Sequence, residues 1–325
     1  MKLQPNRKRP ARADSDRSSL KTDILATPAT VVDIAPLTCP GLAPITAEDA
    51  RRAARQGYCP MAPVFRPGCD DAFIEEVDRL IALGLIPPSR ERVVAGEPTE
   101  WVVNLGLVWG QGPDGAVLAQ SPGLRRLYRA LQAWAASWNA QRPMLIAAGL
   151  IDADEAPEIA PQGIEMNVNR VVGSDRALWS GLHLHRDMHR FTDGLRALDE
   201  SSVRHAAIRA RGLTVSAYFR PLDAAGRRLS DTGGALVFMV RDGARNPGDR
   251  GVFDVVLAEH NTGAWFFPHT VHGVARMAPG SVRYSFQAFF PRRDAWERDI
   301  QPRIARGELA RELAEAARRG RIGWR

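Results

Sequence analysis

The sequence predicts an α+β protein in which a mainly helical N-terminal region packs on an all-β barrel or sandwich, closed by a C-terminal helix. Three observations carry this. Apolar residues recur at helical spacing up to about residue 150. After about 160, short runs rich in β-branched and aromatic residues alternate with Gly, Asp and Pro turns. From Trp296 onward an amphipathic pattern returns with alternating charge. A run of helices followed by a run of strands is the grammar of an α+β chain.

Taken in order, residues 1–22 are polar and charged with almost no large apolar groups, and read as a disordered basic tail. Residues 23–160 are the mainly helical region. It opens with an extended lead-in, 23–46, rich in Pro, Thr and Val. Ala47 to Gln56 reads as a short helix. Asp70 to Leu83 reads as a clearer one, capped by Asp70 or Asp71, striped by Phe73, Val77, Leu80 and Ile81, and ended by Gly84. Ser121-Pro122 opens a longer helix by the cap-then-proline rule, running through Leu127, Leu131 and Trp134 towards Asn139. A further short helix covers Met144 to Leu150. Residues 161–295 form the β core, with strands expected at Ile164–Val172, Thr214–Phe219, Ala235–Val240, Gly251–Leu257, Gly263–Phe267 and Ser281–Phe290. Between Met188 and Gly212 the charged sequence reads as a helical or irregular insertion. Residues 296–325 hold the C-terminal amphipathic helix, running from Trp296 to Arg319.

Composition narrows the function. The chain has 325 residues, 45% of them hydrophobic, which suits a globular protein. No stretch reads as a membrane span, and the basic start lacks the apolar run of a secretory signal. Cys39, Cys59 and Cys69 are spaced like neither a zinc site nor a disulfide framework. Together these give a cytoplasmic protein as the expectation. The net charge is +7, but residues 1–22 carry +5 and residues 292–325 carry +4, leaving 23–291 at −2. The basic charge belongs to the ends, so nucleic acid is not the expected partner. Oligomeric state is not legible.

All seven histidines fall between His183 and His272. Two groups among them have metal-ligand spacing. The first is Gly181-Leu-His-Leu-His-Arg-Asp187, containing His185-x-Asp187. The second is Pro268-His-Thr-Val-His272, followed eleven residues later by Arg283 in Val282-Arg-Tyr-Ser285. His185 and Asp187, at i and i+2, share a face of an extended strand. His272, from a strand far along the chain, is expected to meet them across the barrel. Two imidazoles and one carboxylate with open positions form the ligand set of non-haem Fe(II) oxygenases. A lone His-x-Asp pair is more often ordinary polar sequence. Arg283 and Ser285, again on one strand face, change that balance, because a guanidinium fork plus a hydroxyl suits a carboxylate. Alone, Arg283 reads better as an ordinary strand arginine in an ion pair.

At these residues the chain resembles the 2-oxoglutarate- and Fe(II)-dependent oxygenase superfamily, over roughly residues 164 to 291. Met166-Asn-Val-Asn-Arg-Val-Val172 looks like the strand before the iron motif, and His185-Arg-Asp187 like its His-x-Asp. Thr232-Gly-Gly-Ala-Leu-Val-Phe238 resembles its Gly-Gly-x-Leu-x-Phe strand. His272-Gly-Val-Ala-Arg-Met-Ala-Pro-Gly is similar to its distal-histidine strand, and Arg283-Tyr-Ser285 to its Arg-x-Ser. The resemblance implies a double-stranded β-helix, a jelly roll of cupin-like form. It implies that His185, Asp187 and His272 bind Fe(II), and that Arg283, with Ser285, takes the distal carboxylate of 2-oxoglutarate. It further implies an O2-dependent dioxygenase that releases succinate and CO2 and acts through a ferryl species. Asp187 speaks against halogenation, where the family has Gly or Ala at the carboxylate position.

Other residues stay open. Asn169 is favoured over Asn167 as an inward-facing co-substrate or substrate contact, and Tyr218 as a 2-oxoglutarate contact, with core packing equally open for Tyr218. His183, His189 and His269 are neighbours of the site; Arg276 is expected at the surface. Trp265, Phe266 and Phe267 read as core, and Arg186 as pointing away from the metal. The near-neutral body and the six residues between Arg276 and Arg283 argue against a nucleic-acid demethylase. The expected substrate is an amino acid, a peptide or a specialised metabolite, hydroxylated, desaturated or cyclised. The alternatives are a protein or peptidyl hydroxylase and a catalytically silent binding domain.

Overall fold

The computed structural model describes residues 45–89, 92–106, 115–149, 151–154, 156–174, 182–187, 199–223, 225, 228, 233–239, 253–256 and 259–318. All lie within one compact unit, Ala35–Arg325. The tail, nearly all of the lead-in, and His189 lie outside the described residues.

Helix α1 (Ala47–Gln56) starts where Thr46 accepts from Asp49 N while the Asp49 carboxylate accepts from Thr46 N, a reciprocal cap. Strand β1 (Tyr58–Met61) follows, then α2 (Cys69–Ala82). The α2 cap differs from the expectation. Its N-cap is Gly68, and Asp70 turns its carboxylate back to the amides of Gly68 and Asp71 and out to His260. A short hairpin, β2 (Val93–Val94) with β3 (Glu97–Pro98), leads into β4 (Glu100–Leu105). After α3 (Ala116–Gln120), Ser121 caps α4 (Pro122–Ala147) by accepting from Leu124 N.

The two helices expected over 122–150 are one, continuous through Pro143. Trp138, Asn139 and Arg142 bind carbonyls of Ala153, Ala156, Pro157 and Ile159, which hold the turn that leads into the missing amide. The C-terminal helix, in contrast, is not continuous. A π turn spans Trp296–Ile300, a helical turn Gln301–Ala305, and a last helix Glu308–Arg318, separated where Gly307 takes φ 72°.

The β elements are β5 (Glu165–Val172), β6 (Leu182–His185), β7 (Arg211–Phe219), β8 (Leu236–Met239), β9 (Phe253–Val256), β10 (Thr262–Phe266), β11 (His272–Val274) and β12 (Val282–Pro291). A six-stranded antiparallel sheet runs β1-β10-β7-β12-β5-β4, and a four-stranded one β6-β11-β8-β9. Strands β1 and β4, the two edges of the large sheet, come from the stretch read as mainly helical. The charged insertion resolves, where described, into α5 (Val203–Arg209) and the start of β7.

Register assigns the faces. On β12, Phe286, Ala288 and Phe290 share a side with Val168 and Met166 of β5 and with Leu213, Val215 and Ala217 of β7. This face is buried under α2 and α4, where Phe73 meets Phe219 at 4.8 Å and Trp134 meets Phe290 at 5.3 Å. Phe73 is fully buried there, and cutting such a side chain to Ala costs about 3–5 kcal/mol. The opposite face carries Arg283, Ser285 and Gln287 of β12, Asn167 and Asn169 of β5, and Thr214, Ser216 and Tyr218 of β7. One face of the sheet therefore makes the core and the other carries polar chemistry. Among the described residues, no helix is long and apolar enough to cross a membrane.

Candidate metal centre

The small sheet and the turn after β6 supply the candidate metal-binding group. His185 ends β6, and His272 of β11 is its direct cross-strand partner. The expectation that His272 reaches across the barrel is corrected, because adjacent antiparallel strands put paired side chains on one side at close range. The two ring centroids are 4.3 Å apart. Asp187 is two residues past His185, but in the turn rather than on the strand. From there its Oδ1 lies 3.6 Å from Nε2 of both histidines. The three donor atoms all lie within 4.8 Å of one another, a group that can hold a metal ion. Arg186, between the ligands, is exposed.

Each member is oriented by a neighbour. Thr214 Oγ1 on β7 donates to Asp187 Oδ2 at 2.6 Å, which leaves Oδ1 for the histidines. The Thr270 carbonyl, 3.0 Å from His272 Nδ1, fixes the proton there and leaves the Nε2 lone pair free for a cation. Asp187 and His272 are 4% and 5% exposed. Burial alone would raise the Asp187 carboxyl. The facing His272, the His185 contact, Arg211 and Thr214 overcome it and hold the group well below the usual carboxylate range. Burial pushes His272 down, towards the neutral imidazole that metals require. Phe266 closes one side of the pocket, its ring 4.3 Å from that of His272.

The second half of the site is on the large sheet. Arg283 is 7% exposed, and no carboxylate among the described residues lies within ion-pair distance of it. Its Nη1 donates to the Gly234 carbonyl at 3.1 Å, its guanidinium carbon sits 4.6 Å from the Tyr218 ring centre, and its Nε has no partner among the described residues. The Tyr218 hydroxyl, fully buried, has none either. Burial lowers Arg283 from the usual guanidinium value. Ser285 Oγ donates to Asn169 Oδ1 on the facing strand. Gly234 has φ 72°, and a Cβ there would meet Met277 at 2.8 Å and Arg283 Nη1 at 3.2 Å. The glycine pair of the sequence motif is thus what lets this backbone approach Arg283.

Of the residues singled out in the sequence, His185, Asp187 and His272 converge at one point, and Arg283, Ser285, Tyr218 and Asn169 share a neighbouring patch on one sheet face. Asn167 and Asn169, two residues apart, both face inward, so no choice between them arises. Trp265, Phe266 and Phe267 are all core, as read, and Phe267 also stacks on His269 at 5.5 Å on the turn before β11. Arg276 is exposed. His183 is on β6, but its side chain lies outside the described residues. Thr214 was missed, although the alternation Thr214, Ser216, Tyr218 in a strand otherwise apolar was a signal of a polar interior face. His260 also acquires a role. Its Nδ1 accepts from Arg220 N at 3.1 Å and its Nε2 donates to Asp70 at 2.7 Å, tying the end of β7 to α2.

No protein-family model matches the chain, and no curated protein matches it. Among solved structures, a prolyl 4-hydroxylase of Phytophthora capsici is similar with a TM-score of 0.50 at 15% identity, covering 83% of this chain and 73% of that one. A prolyl-4-hydroxylase of Pseudomonas putida has a TM-score of 0.46 at 16% identity, covering 76% and 98%. An Arabidopsis thaliana dioxygenase for auxin oxidation, bound to 2-oxoglutarate, has 0.47 at 14%, covering 77% and 88%. The fold is the double-stranded β-helix of 2-oxoglutarate-dependent oxygenases, as the sequence led one to expect.

Proposed function

We propose that this chain is a 2-oxoglutarate- and Fe(II)-dependent oxygenase. In it His185, Asp187 and His272 hold the iron, and Arg283, Ser285 and Tyr218 receive the distal carboxylate of 2-oxoglutarate, with Asn169 orienting Ser285. The observation that carries the reading is the pairing of the His-Asp-His group with a buried guanidinium Nε and a buried tyrosine hydroxyl that both lack a partner among the described residues. Buried polar groups of this kind are almost always satisfied. A dicarboxylate reaching from the metal to Arg283 satisfies both. Iron with 2-oxoglutarate supplies reductive activation of O2 coupled to decarboxylation to succinate and CO2, which oxidises an unactivated C–H bond.

The chain's own residues do the positioning. Thr214 and the Thr270 carbonyl fix the ligand atoms, so the metal site forms without rearrangement. Arg283 waits in a desolvated pocket, where a charged hydrogen bond is stronger than in water. Phe238 and Phe266 exclude water on the His272 side. The substrate class we favour is an amino acid, a peptide or a specialised metabolite. The test is anaerobic absorption spectroscopy. Protein with Fe(II) and 2-oxoglutarate should develop a visible charge-transfer band, and its absence with iron demonstrably bound would refute the co-substrate assignment.

A further inference from the structure

One row of the polar sheet face is not used by this mechanism. Register places Asn104 of β4 beside Asn167 of β5, Asn167 beside Gln287 of β12, and Gln287 beside Ser216 of β7. Three carboxamides thus stand side by side on three neighbouring strands, spanning about 10 Å at the usual strand spacing. The row lies between that of Thr214, which holds Asp187, and that of Tyr218, Ser285 and Asn169. All three are half-buried, and among the described residues none makes a side-chain hydrogen bond. The nearby charged residues of β5 and β4, two and four positions along from the row, are already engaged: Glu165 with Arg211 at 3.5 Å and Glu100 with Arg92 at 3.1 Å.

We propose that Asn104, Asn167 and Gln287 form the substrate subsite and that it recognises amide groups. This rests on the oxygenase reading and names the substrate class of that site. A carboxamide offers two donors and an acceptor without charge. A row of them complements a ligand that presents N–H and C=O together, as each peptide unit does. Among the described residues, a carboxylate or ammonium would enter this half-buried row with no counter-charge free to meet it. Esters and ketones, with acceptors only, would meet the side-chain N–H donors but leave the carboxamide oxygens without a donor. The source is either a peptide or an amide-bearing small metabolite.

The test is ligand-observed NMR on the full chain loaded anaerobically with Fe(II) and 2-oxoglutarate. The probes are N-acetylglycine N-methylamide, its ester analogue methyl acetoxyacetate, and erythritol as a polyol. The amide should bind at least tenfold more tightly than the other two, and Asn167→Leu and Gln287→Leu should each remove that preference. Thermal melting checks that the variants fold, and Gln287→Ser serves if a leucine variant does not. Equal binding of ester or polyol, no binding of the amide, or an unchanged preference in folded variants would overturn the assignment. Capped triglycine against cyclic diglycine then separates a peptide source from a small-metabolite one. Calorimetry of 2-oxoglutarate on the wild-type sample separates the failures. Loss of that binding sinks the oxygenase reading, whereas its retention with no amide preference sinks only this subsite.

Discussion

Replacing Arg283 with Gln isolates the co-substrate argument, because Gln keeps a donor for the Gly234 carbonyl while removing the charge. A charge-assisted hydrogen bond contributes about 1.5–3 kcal/mol, and stranding a desolvated charge without its partner costs about 3–5 kcal/mol. With Arg283 buried and, among the described residues, bound only to a carbonyl, the larger figure applies. It corresponds to a 2-oxoglutarate dissociation constant raised by roughly two to four orders of magnitude. The same burial makes the opposite prediction for stability. The unliganded pocket holds a desolvated cation, so unliganded Arg283→Gln should melt no lower than the wild type. Anaerobic calorimetry with 2-oxoglutarate and with 2-oxovalerate, which lacks the distal carboxylate, is the assay. The wild type should prefer the dicarboxylate strongly and the variant hardly at all. A variant that binds 2-oxoglutarate within about threefold of the wild type, with iron still bound, would refute the reasoning.

Three further outcomes follow from the same geometry. Thr214→Val removes the hydroxyl that holds Asp187 Oδ2, and should weaken Fe(II) affinity about 10- to 100-fold without unfolding the chain, as read by competition with a chelator. Gly234→Ala places a Cβ against Met277 and Arg283 at a left-handed φ, so it should lower the melting temperature, costing about 1–2 kcal/mol, and also weaken 2-oxoglutarate binding. Asp70→Asn should destabilise the fold by about 1–3 kcal/mol at neutral pH, since the Asn amide would face the His260 Nε2 proton. Burial raises the Asp70 carboxyl, but His260 and the Asp71 amide hold it below its ordinary value on balance. Its stabilisation is therefore full above the unfolded value near about 3.9 and fades as pH falls through the folded one. Urea melts between pH 6 and pH 3 should show the wild-type advantage shrinking with acid, and a constant or growing advantage would contradict the assignment.

How much of this was legible in the sequence follows from how local each signal is. Helix α1 came out with the same ends, and the Ser121 cap and the strands over 164–172 and 281–290 came out within a residue or so, because caps and alternation are read within a few positions. The His185, Asp187 and His272 group was legible because a His-x-Asp pair and a distal His followed by Arg-x-Ser are rare together. Strand β1 hid behind Pro60, which an edge strand tolerates. Strand β4 was visible in Trp101, Val102 and Val103 between Pro98 and Gly106, and was passed over amid helical neighbours. Pro143 suggested a break that the carbonyl contacts of Trp138, Asn139 and Arg142 prevent. Those contacts are tertiary and no local pattern announces them.

The division of the site between two sheets explains why its partners escaped the sequence while its anchors did not. His185 and His272 are on the small sheet and Arg283, Ser285 and Tyr218 on the large one, so only closure of one sheet over the other assembles the pocket. Tyr58 of β1 ties that closure, donating to Asp254 of β9 and stacking on Phe238 of β8 at 4.1 Å. Thr214 reaches Asp187 across the same gap, and Gly234, before β8, reaches Arg283. Each bridging pair joins positions 27 to 196 residues apart. A sequence window cannot contain such a pair, but the register of two strands specifies it. Residues that do chemistry by their own identity were therefore readable in advance, and those that act by holding another residue became readable only once the sheets were paired.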